Sequence, residues 1–147
     1  YRNVENLEFY ELEKLHTELQ TGTSIFTNDP IYNYDIVWKG TSHNNSLNKP
    51  KTIKTYPTPS KLTKFTILSE IIGNYTLIIK FVVGNDGLIF SDMDIGTKYY
   101  MYDMRDDKIN KIRSEMLYNW KFKSPECVES IRKSNCLAAG ELRISRK

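Results

Sequence analysis

The centre of the chain carries the pattern that most restricts how it can fold. Four runs rich in apolar and aromatic residues follow one another with short polar gaps: residues 63–69, 75–83, 88–90 and 98–102. Gly84-Asn85-Asp86-Gly87 separates the second run from the third, and Gly-Asn-Asp segments between apolar runs are typical of tight turns. Residues 34–39 alternate apolar and polar. The pattern predicts an antiparallel β-meander, with residues 34–39 as an added edge strand.

Helical periodicity lies on both sides of this centre. Residues 4–20 repeat leucine with helical spacing, and residues 106–120 place five apolar side chains on one face. Ser124-Pro125-Glu126 predicts the start of another helix, which ends near Asn135. The chain, residues 1–147, is therefore expected to be a single α+β domain. It would consist of a meander of four to five strands with an N-terminal helix and two C-terminal helices packed on it.

The core of this domain is expected where the central strands meet the helix at 106–120. Nine apolar residues at alternating strand positions and on the helix face are predicted to be buried: Phe65, Ile67, Leu77, Ile79, Phe81, Ile89, Ile112, Met116 and Trp120. Residues 40–60, in contrast, show no periodicity, contain three prolines and carry only positive charges. They are predicted to form a long, basic, flexible loop within the domain, cleaved early by trypsin at Lys49, Lys51 or Lys54.

The net charge of +3 is distributed in blocks of opposite sign. Residues 1–35 sum to −5, 36–64 to +6, 65–104 to −3 and 105–147 to +5. Such a chain can dock on an anionic surface and on copies of itself. The candidate residues for the anionic surface are Lys39, Lys49, Lys51, Lys54, Lys61, Lys64, Lys108, Lys111, Lys121 and Lys123. The candidates for self-association are the acids of the first predicted helix, Glu5, Glu8, Glu11, Glu13 and Glu18.

A search for catalytic chemistry finds no nucleophile elbow, phosphate-binding loop, dinucleotide fingerprint or zinc motif. His16 and His43 have no metal-ligand spacing to the two cysteines, Cys127 and Cys136. We therefore expect no enzyme activity, no catalytic residue, no metal and no cofactor. On one helix the cysteines would lie about 13 Å apart, too far for a disulfide. They are predicted to be reduced thiols of an intracellular protein.

The segment Lys61-Leu62-Thr63-Lys64-Phe65-Thr66-Ile67 is followed by apolar strands, and Lys98-Tyr99-Tyr100-Met101-Tyr102 then leads into a basic helix. Over about residues 61–121 this order resembles the small matrix proteins of non-segmented negative-strand RNA viruses, the bornavirus type in particular, and plant rhabdoviruses fit the size. The resemblance implies a non-enzymatic protein that self-associates, binds the inner membrane face and contacts the nucleocapsid.

The function predicted from these patterns is that of a viral matrix-like structural protein. It would form homo-oligomers and bind an anionic membrane surface or nucleocapsid RNA, with no small-molecule substrate, in the virion or at the host cytoplasm and membrane periphery. One alternative is a non-sequence-specific RNA-binding or host-interaction effector. The other is a secreted glycoprotein binding module, in which the sequons at Asn44 and Asn74 are modified and the cysteines oxidised.

Overall fold

A computed structural model describes residues 23–25, 29–38, 41–44, 49–66, 68, 75–127 and 136–147. These residues are mainly strands, with a single helix, α1 (Asp107–Asn119), between the seventh and eighth strands. In chain order the strands are β1 (Thr23–Ser24), β2 (Tyr32–Trp38), β3 (Thr41–Asn44), β4 (Lys49–Thr55), β5 (Pro59–Lys61), β6 (Leu77–Val83), β7 (Asp94–Gly96), β8 (Lys121–Phe122), β9 (Glu126–Cys127) and β10 (Ala138–Arg146).

Five of these strands form an antiparallel sheet in the order β1-β2-β10-β6-β7. The C-terminal strand β10 lies in the middle, where Leu142 is opposite both Ile36 and Ile79. Side chains alternate across the sheet, so that Leu77 and Ile79 are fully buried on the core face while the residues between and after them are half-buried. Two smaller antiparallel groups, β3-β4-β9 and β5-β8, complete the strand pairing among the described residues.

A continuous series of aromatic rings crosses the core. Phe65 stacks between Tyr34 and Trp120, with ring centroids 6.0 Å and 5.5 Å away. Trp120 then contacts Phe122 at 6.4 Å, and Phe122 stacks on Phe81 at 6.0 Å. Rings of this size bury large apolar areas, and offset stacks and edge contacts add to that burial. Through these rings β2 contacts the segment before residue 66, that segment contacts the end of α1, and the end of α1 contacts β8, which contacts β6.

Two hydrogen bonds fix the polar atoms of this series. The indole N–H of Trp120 donates to the carbonyl oxygen of Thr63 at 2.9 Å, and the backbone N–H of Phe65 donates to the Tyr34 hydroxyl at 3.2 Å. Burial of Tyr34 raises the pKa of its hydroxyl to about 12, so the neutral form is kept in the core. These two bonds attach residues 63–65 to the sheet and to the helix, although residues 63–65 do not themselves form a strand.

The helix α1 confirms the prediction made for residues 106–120. Asp106 is its N-cap, and its side chain accepts hydrogen bonds from the N–H groups of Lys108 and Ile109. The apolar face is buried as expected, with Ile112 and Met116 at 1 % and 0 % exposure. At the other end the N–H of Trp120 donates to the carbonyl oxygen of Met116, after which the backbone becomes extended.

The predicted α+β fold with three packed helices is wrong. Instead of the start of a second C-terminal helix, Glu126–Cys127 forms β9, in which Cys127 is opposite Ile53 of β4. The tail of the chain, for which no strand was predicted, forms the nine-residue strand β10. Local start signals such as Ser124-Pro125 were overridden here by long-range strand pairing. The predicted N-terminal helix, residues 4–20, lies outside the described residues.

The strand predictions were right in part. β6 and β2 lie where the sequence patterns put them, but β2 is flanked on both sides and the sheet is not a meander. Residues 98–99 form a bend after the unpredicted strand β7, and residues 100–102 pair back on β7 through an isolated bridge between Met101 and Gly96. The described residues of 63–69 form no strand. The predicted loop 40–60 contains β3, β4 and β5. Its early cleavage by trypsin stays a prediction. Of the nine predicted core residues, Ile67 lies outside the described residues and the other eight are buried.

Substitution of Trp120 tests the aromatic series. We expect Trp120→Ala to lower the free energy of unfolding by about 3–5 kcal/mol, because a fully buried ring and its hydrogen bond to Thr63 are lost. Trp120→Phe keeps a ring against Phe65 and should cost less. Urea denaturation followed by circular dichroism measures both. The control is Tyr118→Ala, a residue 64 % exposed, and a Trp120→Ala loss no larger than that control would remove Trp120 from the core.

Candidate functional site

Two short strands bring together three of the lysines predicted to bind an anionic surface. In the antiparallel pair β5-β8, Pro59 is opposite Phe122 and Lys61 is opposite Lys121, with a β-bulge or similar irregularity between Pro59 and Lys61. The backbone N–H of Lys123 donates to the carbonyl oxygen of Thr58 at 2.8 Å, which extends the pairing by one residue. Lys61, Lys121 and Lys123 are all exposed. We call residues 58–61 and 121–123 the lysine ribbon.

The buried ring of Phe122 sets the orientation of this ribbon. It lies against Phe81 and, edge-on at 5.7 Å, against Trp38, and only 5 % of the residue is exposed. Because successive side chains of a strand point to opposite faces, burial of Phe122 turns Lys121 and Lys123 together toward solvent. Lys121 and Lys123 therefore present two positive charges on the solvent-exposed face of the ribbon.

A glycine holds Phe122 in place from the other side. The N–H of Phe122 donates to the carbonyl oxygen of Gly87 at 3.0 Å. Gly87 has φ +80°, and a Cβ atom at this position would come within 1.9 Å of the Phe122 carbonyl oxygen. Only glycine allows both this backbone conformation and this close approach. The turn at residues 84–87 therefore also positions the lysine ribbon.

The electrostatics of the ribbon favour an anionic ligand. Lys61 and Lys121 are cross-strand partners next to an irregularity in the register, and like charges placed opposite each other destabilise a strand pair. Neither stretch of the ribbon contains an acidic residue, so this repulsion is not neutralised within it. An anion bound between the lysines would relieve the repulsion and gain the attraction of both.

The other predicted site residues have varied positions. Lys108 and Lys111 are exposed on α1, and Lys54 is exposed on β4. Lys49 and Lys51 are in β4, but their side chains are not described. Lys39 lies outside the described residues, as do the five predicted self-association acids, Glu5, Glu8, Glu11, Glu13 and Glu18.

Lys64 differs from the ribbon lysines because it has an acidic neighbour. Its Nζ is 3.8 Å from Oδ2 of Asp29, a buried carboxylate. Oδ1 of Asp29 accepts hydrogen bonds from the backbone N–H groups of Ile31 and Tyr32, both at 2.8 Å. The hydrogen bond from Tyr32, then that from Ile31 and then the charge of Lys64 hold the pKa of Asp29 below its ordinary value of 3.8. Lys64 thus has a structural contact at the start of β2.

Three further observations concern metal ligands, the turn that contains Asp86 and the possibility of a membrane-spanning helix. Within the described ranges no group of three or more His, Cys, Asp or Glu side chains could hold a metal ion. Asp86 accepts a hydrogen bond from the N–H of Leu88 in the turn. Among the helices of the described part of the chain, none is long and apolar enough to span a membrane.

The prediction of reduced thiols is wrong for Cys136, which is disulfide-bonded. That prediction assumed one helix running through both cysteines. The premise fails because Cys127, the only other cysteine of the chain, lies in strand β9. A separation calculated for a helix therefore does not apply to this pair.

Sequence analysis missed the residues that orient the ribbon. Gly87 had been interpreted only as part of a hairpin turn, and Phe122 had not been assigned to the core. A usable signal existed, since Lys121-Phe122-Lys123 alternates with the period of a strand just beyond the predicted helix end. Its partner, residues 59–61, could not be identified from a segment that contains Pro57 and Pro59.

The pKa of Asp29 predicts an acid-dependent loss of stability. The carboxylate is ionised more readily in the folded than in the unfolded chain, so its contribution is present above the unfolded pKa and is lost as pH falls through the lower folded pKa. We expect Asp29→Asn to lose less stability than the wild type between about pH 5 and pH 2. Lys64→Gln should keep most of the wild-type slope. Urea denaturation across this range measures the difference, and coincident curves for Asp29→Asn and the wild type would contradict it.

Comparison of the chain with known protein families, with curated proteins and with solved structures gave no match. We therefore infer a function from the residues of this chain alone, and mainly from the lysine ribbon.

Proposed function

We propose that this chain is a non-enzymatic protein that docks on an anionic lipid surface through the lysine ribbon. The observation that carries the proposal is the pairing of Lys61 with Lys121 across β5 and β8, with Lys123 exposed just after β8. Each lysine held near an anionic membrane contributes about 1 kcal/mol, so the three together supply about 3 kcal/mol. This is the activity that the resemblance to small viral matrix proteins implies.

Lipid is a better match for the ribbon than RNA. Proteins that bind single-stranded nucleic acid combine cations with aromatic rings on which bases stack. The aromatic residue of the ribbon, Phe122, is buried against Phe81 and Trp38 and is not available for stacking. Lipid headgroups require only a cluster of positive charge at the surface.

Self-association is part of the same proposal. Residues 1–35 carry a net charge of −5, and the predicted contact residues Glu5, Glu8, Glu11, Glu13 and Glu18 lie in this block. An acidic block on one copy is complementary to a basic surface on the next, and such a head-to-tail contact can propagate. Binding of many copies to one membrane would add their individually weak affinities.

Flotation with vesicles tests the docking proposal. Vesicles containing phosphatidylserine should bind the protein, and vesicles of phosphatidylcholine alone should not. We expect the triple variant Lys61→Gln, Lys121→Gln, Lys123→Gln to bind on the order of a hundredfold more weakly, because about 3 kcal/mol of attraction is removed. The comparison variant is Lys108→Gln, Lys111→Gln, which alters two exposed lysines of α1 and should have a smaller effect.

Three outcomes would contradict the docking proposal. The first is equal binding to both kinds of vesicle. The second is an equal loss in the ribbon and helix variants, which would indicate a diffuse basic surface. The third is tight binding of single-stranded RNA that depends on the ribbon, together with weak vesicle binding, which would favour the RNA-binding alternative. Circular dichroism spectra of the variants establish that the substitutions leave the fold intact.

A secreted glycoprotein binding module is the second candidate, and the disulfide at Cys136 favours it. Disulfides persist mainly in oxidising compartments such as the secretory pathway and the extracellular space. The chain also carries two sequons, at Asn44 and at Asn74. Tyr75 and Thr76 of the second sequon are exposed.

Mass spectrometry of the protein secreted from eukaryotic cells tests this candidate. We expect neither cysteine to react with an alkylating reagent before reduction and both to react after it. We also expect the secreted chain to carry additional mass from N-linked glycans. Treatment with a peptide N-glycosidase should remove this mass, and the variant Asn74→Gln should carry less of it. Free thiols together with an unmodified chain mass would contradict the secreted candidate and would leave the docking proposal to the vesicle experiment.

A further inference from the structure

A hydrogen-bonded turn after β7 carries a group of exposed aromatic side chains. The N–H of Thr97 donates to the carbonyl oxygen of Tyr100 at 2.9 Å, and the N–H of Tyr102 donates to that of Ile95, also at 2.9 Å. The N–H of Tyr99 is bound to Oγ1 of Thr97. Despite this fixed backbone, 74 % of Tyr99, 50 % of Tyr100 and 58 % of Met101 are exposed.

The exposed rings are held by one another. Tyr99 contacts Tyr75 edge-on at 6.4 Å, and Tyr100 contacts Tyr102 edge-on at 5.0 Å. The hydroxyl of Tyr100 donates to that of Tyr102 at 3.1 Å. We call Tyr75, Tyr99, Tyr100, Met101 and Tyr102 the tyrosine platform. Large apolar surface that is both exposed and ordered marks a contact site more often than a solubilising surface.

A groove of about 310 Å³ adjoins the platform. Met101 lines it together with residues of β6, β7, β10 and the turn, among them Ile78, Lys80, Asp94, Thr97 and Glu141. Its size falls within the range of about 300–1,000 Å³ typical of small-molecule sites. A concave surface with polar side chains therefore lies directly beside the platform.

The floor of the groove is charged but balanced. Lys80 is opposite Asp94 of β7 and opposite Glu141 of β10, which places a base between two acids across three strands. Glu141 accepts a hydrogen bond from Nε of Arg143 at 2.6 Å. Lys98 lines the rim and lies 5.9 Å from the ring centre of Tyr99. Two acids and two bases line the groove, so the charges of its lining residues sum to zero.

We infer that the tyrosine platform and the adjoining groove form a binding site for a neutral oligosaccharide. A sugar ring has apolar C–H faces that lie against aromatic rings and hydroxyl groups that both donate and accept hydrogen bonds. Carboxylates, ammonium groups and the hydroxyl of Thr97 in the groove supply both kinds of partner. A ligand without charge is neither attracted nor repelled by a net charge in such a groove, and its hydroxyl groups can replace the hydrogen bonds that the charged side chains make to water.

This site is separate from the lysine ribbon. The ribbon is attached through Phe122 to Gly87, beyond the C-terminal end of β6. The platform lies beside the other end, where Gly96 pairs with Ile78. A seven-residue strand spans about 20 Å, so one ligand headgroup cannot occupy both.

Titration with defined oligosaccharides tests the inference. The probes are the hexasaccharides of N-acetylglucosamine, glucose and mannose, with a heparin hexasaccharide as the anionic comparison, and binding is followed by NMR chemical-shift changes. We expect at least one neutral probe to bind at millimolar concentration or below. Tyr99→Ala should then weaken that binding about tenfold, the effect of losing one aromatic contact. Tyr99→Phe, which keeps the ring, should bind more tightly than Tyr99→Ala.

The groove and a control residue are tested in the same way. Asp94→Asn should weaken the same probe, because a carboxylate acceptor is lost from the groove. Tyr118→Ala removes a similarly exposed tyrosine of α1 and should leave the affinity unchanged. Each variant is first shown by circular dichroism to melt as the wild type does.

Three results would overturn the inference. One is the absence of shifts with all three neutral probes. Another is preferential binding of the heparin hexasaccharide with shifts at Tyr99 and Tyr100, which would make the site anion-selective. The last is concentration-dependent dimerisation that Tyr99→Ala abolishes, since the platform would then be a contact between copies of this chain.

Discussion

The burial of Phe122 is the interaction on which the described structure depends most. Its ring lies against Phe81 of β6 and Trp38 of β2 and meets Trp120 at the end of α1. It therefore joins the helix to the central sheet at the point where the chain leaves the helix. The carbonyl oxygen of Gly87 accepts the Phe122 N–H, and the missing side chain of Gly87 leaves room for the Phe122 carbonyl oxygen, which a Cβ atom would approach to 1.9 Å. The same contact orients the lysine ribbon, so the core and the proposed docking surface share one cause.

The two proposed surfaces differ in their physical basis. The lysine ribbon concentrates positive charge on paired strands, and its like-charge pair at Lys61 and Lys121 carries a cost that an anionic surface would offset. The tyrosine platform exposes ordered rings beside a groove whose charges cancel, and its attraction would come from shape and hydrogen bonds. They lie at opposite ends of β6, which would let one molecule contact a surface and a soluble ligand together.

Much of the local structure was predictable from sequence. β6 and α1 have strong periodic patterns, and their core residues Leu77, Ile79 and Met116 are buried as predicted. The lysines of the ribbon were recognised as candidates, although their pairing was not. The failures share a physical cause: β9, β10 and the pairing of β5 with β8 depend on partners far away in the chain. A window of neighbouring residues holds no information about such partners.

The sequence by itself determined the local periods, the helix over residues 106–120, the blocks of charge and part of the apolar core, because each depends only on nearby residue types. Tertiary structure decided which segments became neighbours. It placed the C-terminal strand between β2 and β6, where Gly140 leaves room for the rings of Trp38 and Phe81. It also brought residue 61 opposite residue 121. Both outcomes follow from burying aromatic rings contributed by distant parts of the chain, a global requirement that overrides local helix and turn signals.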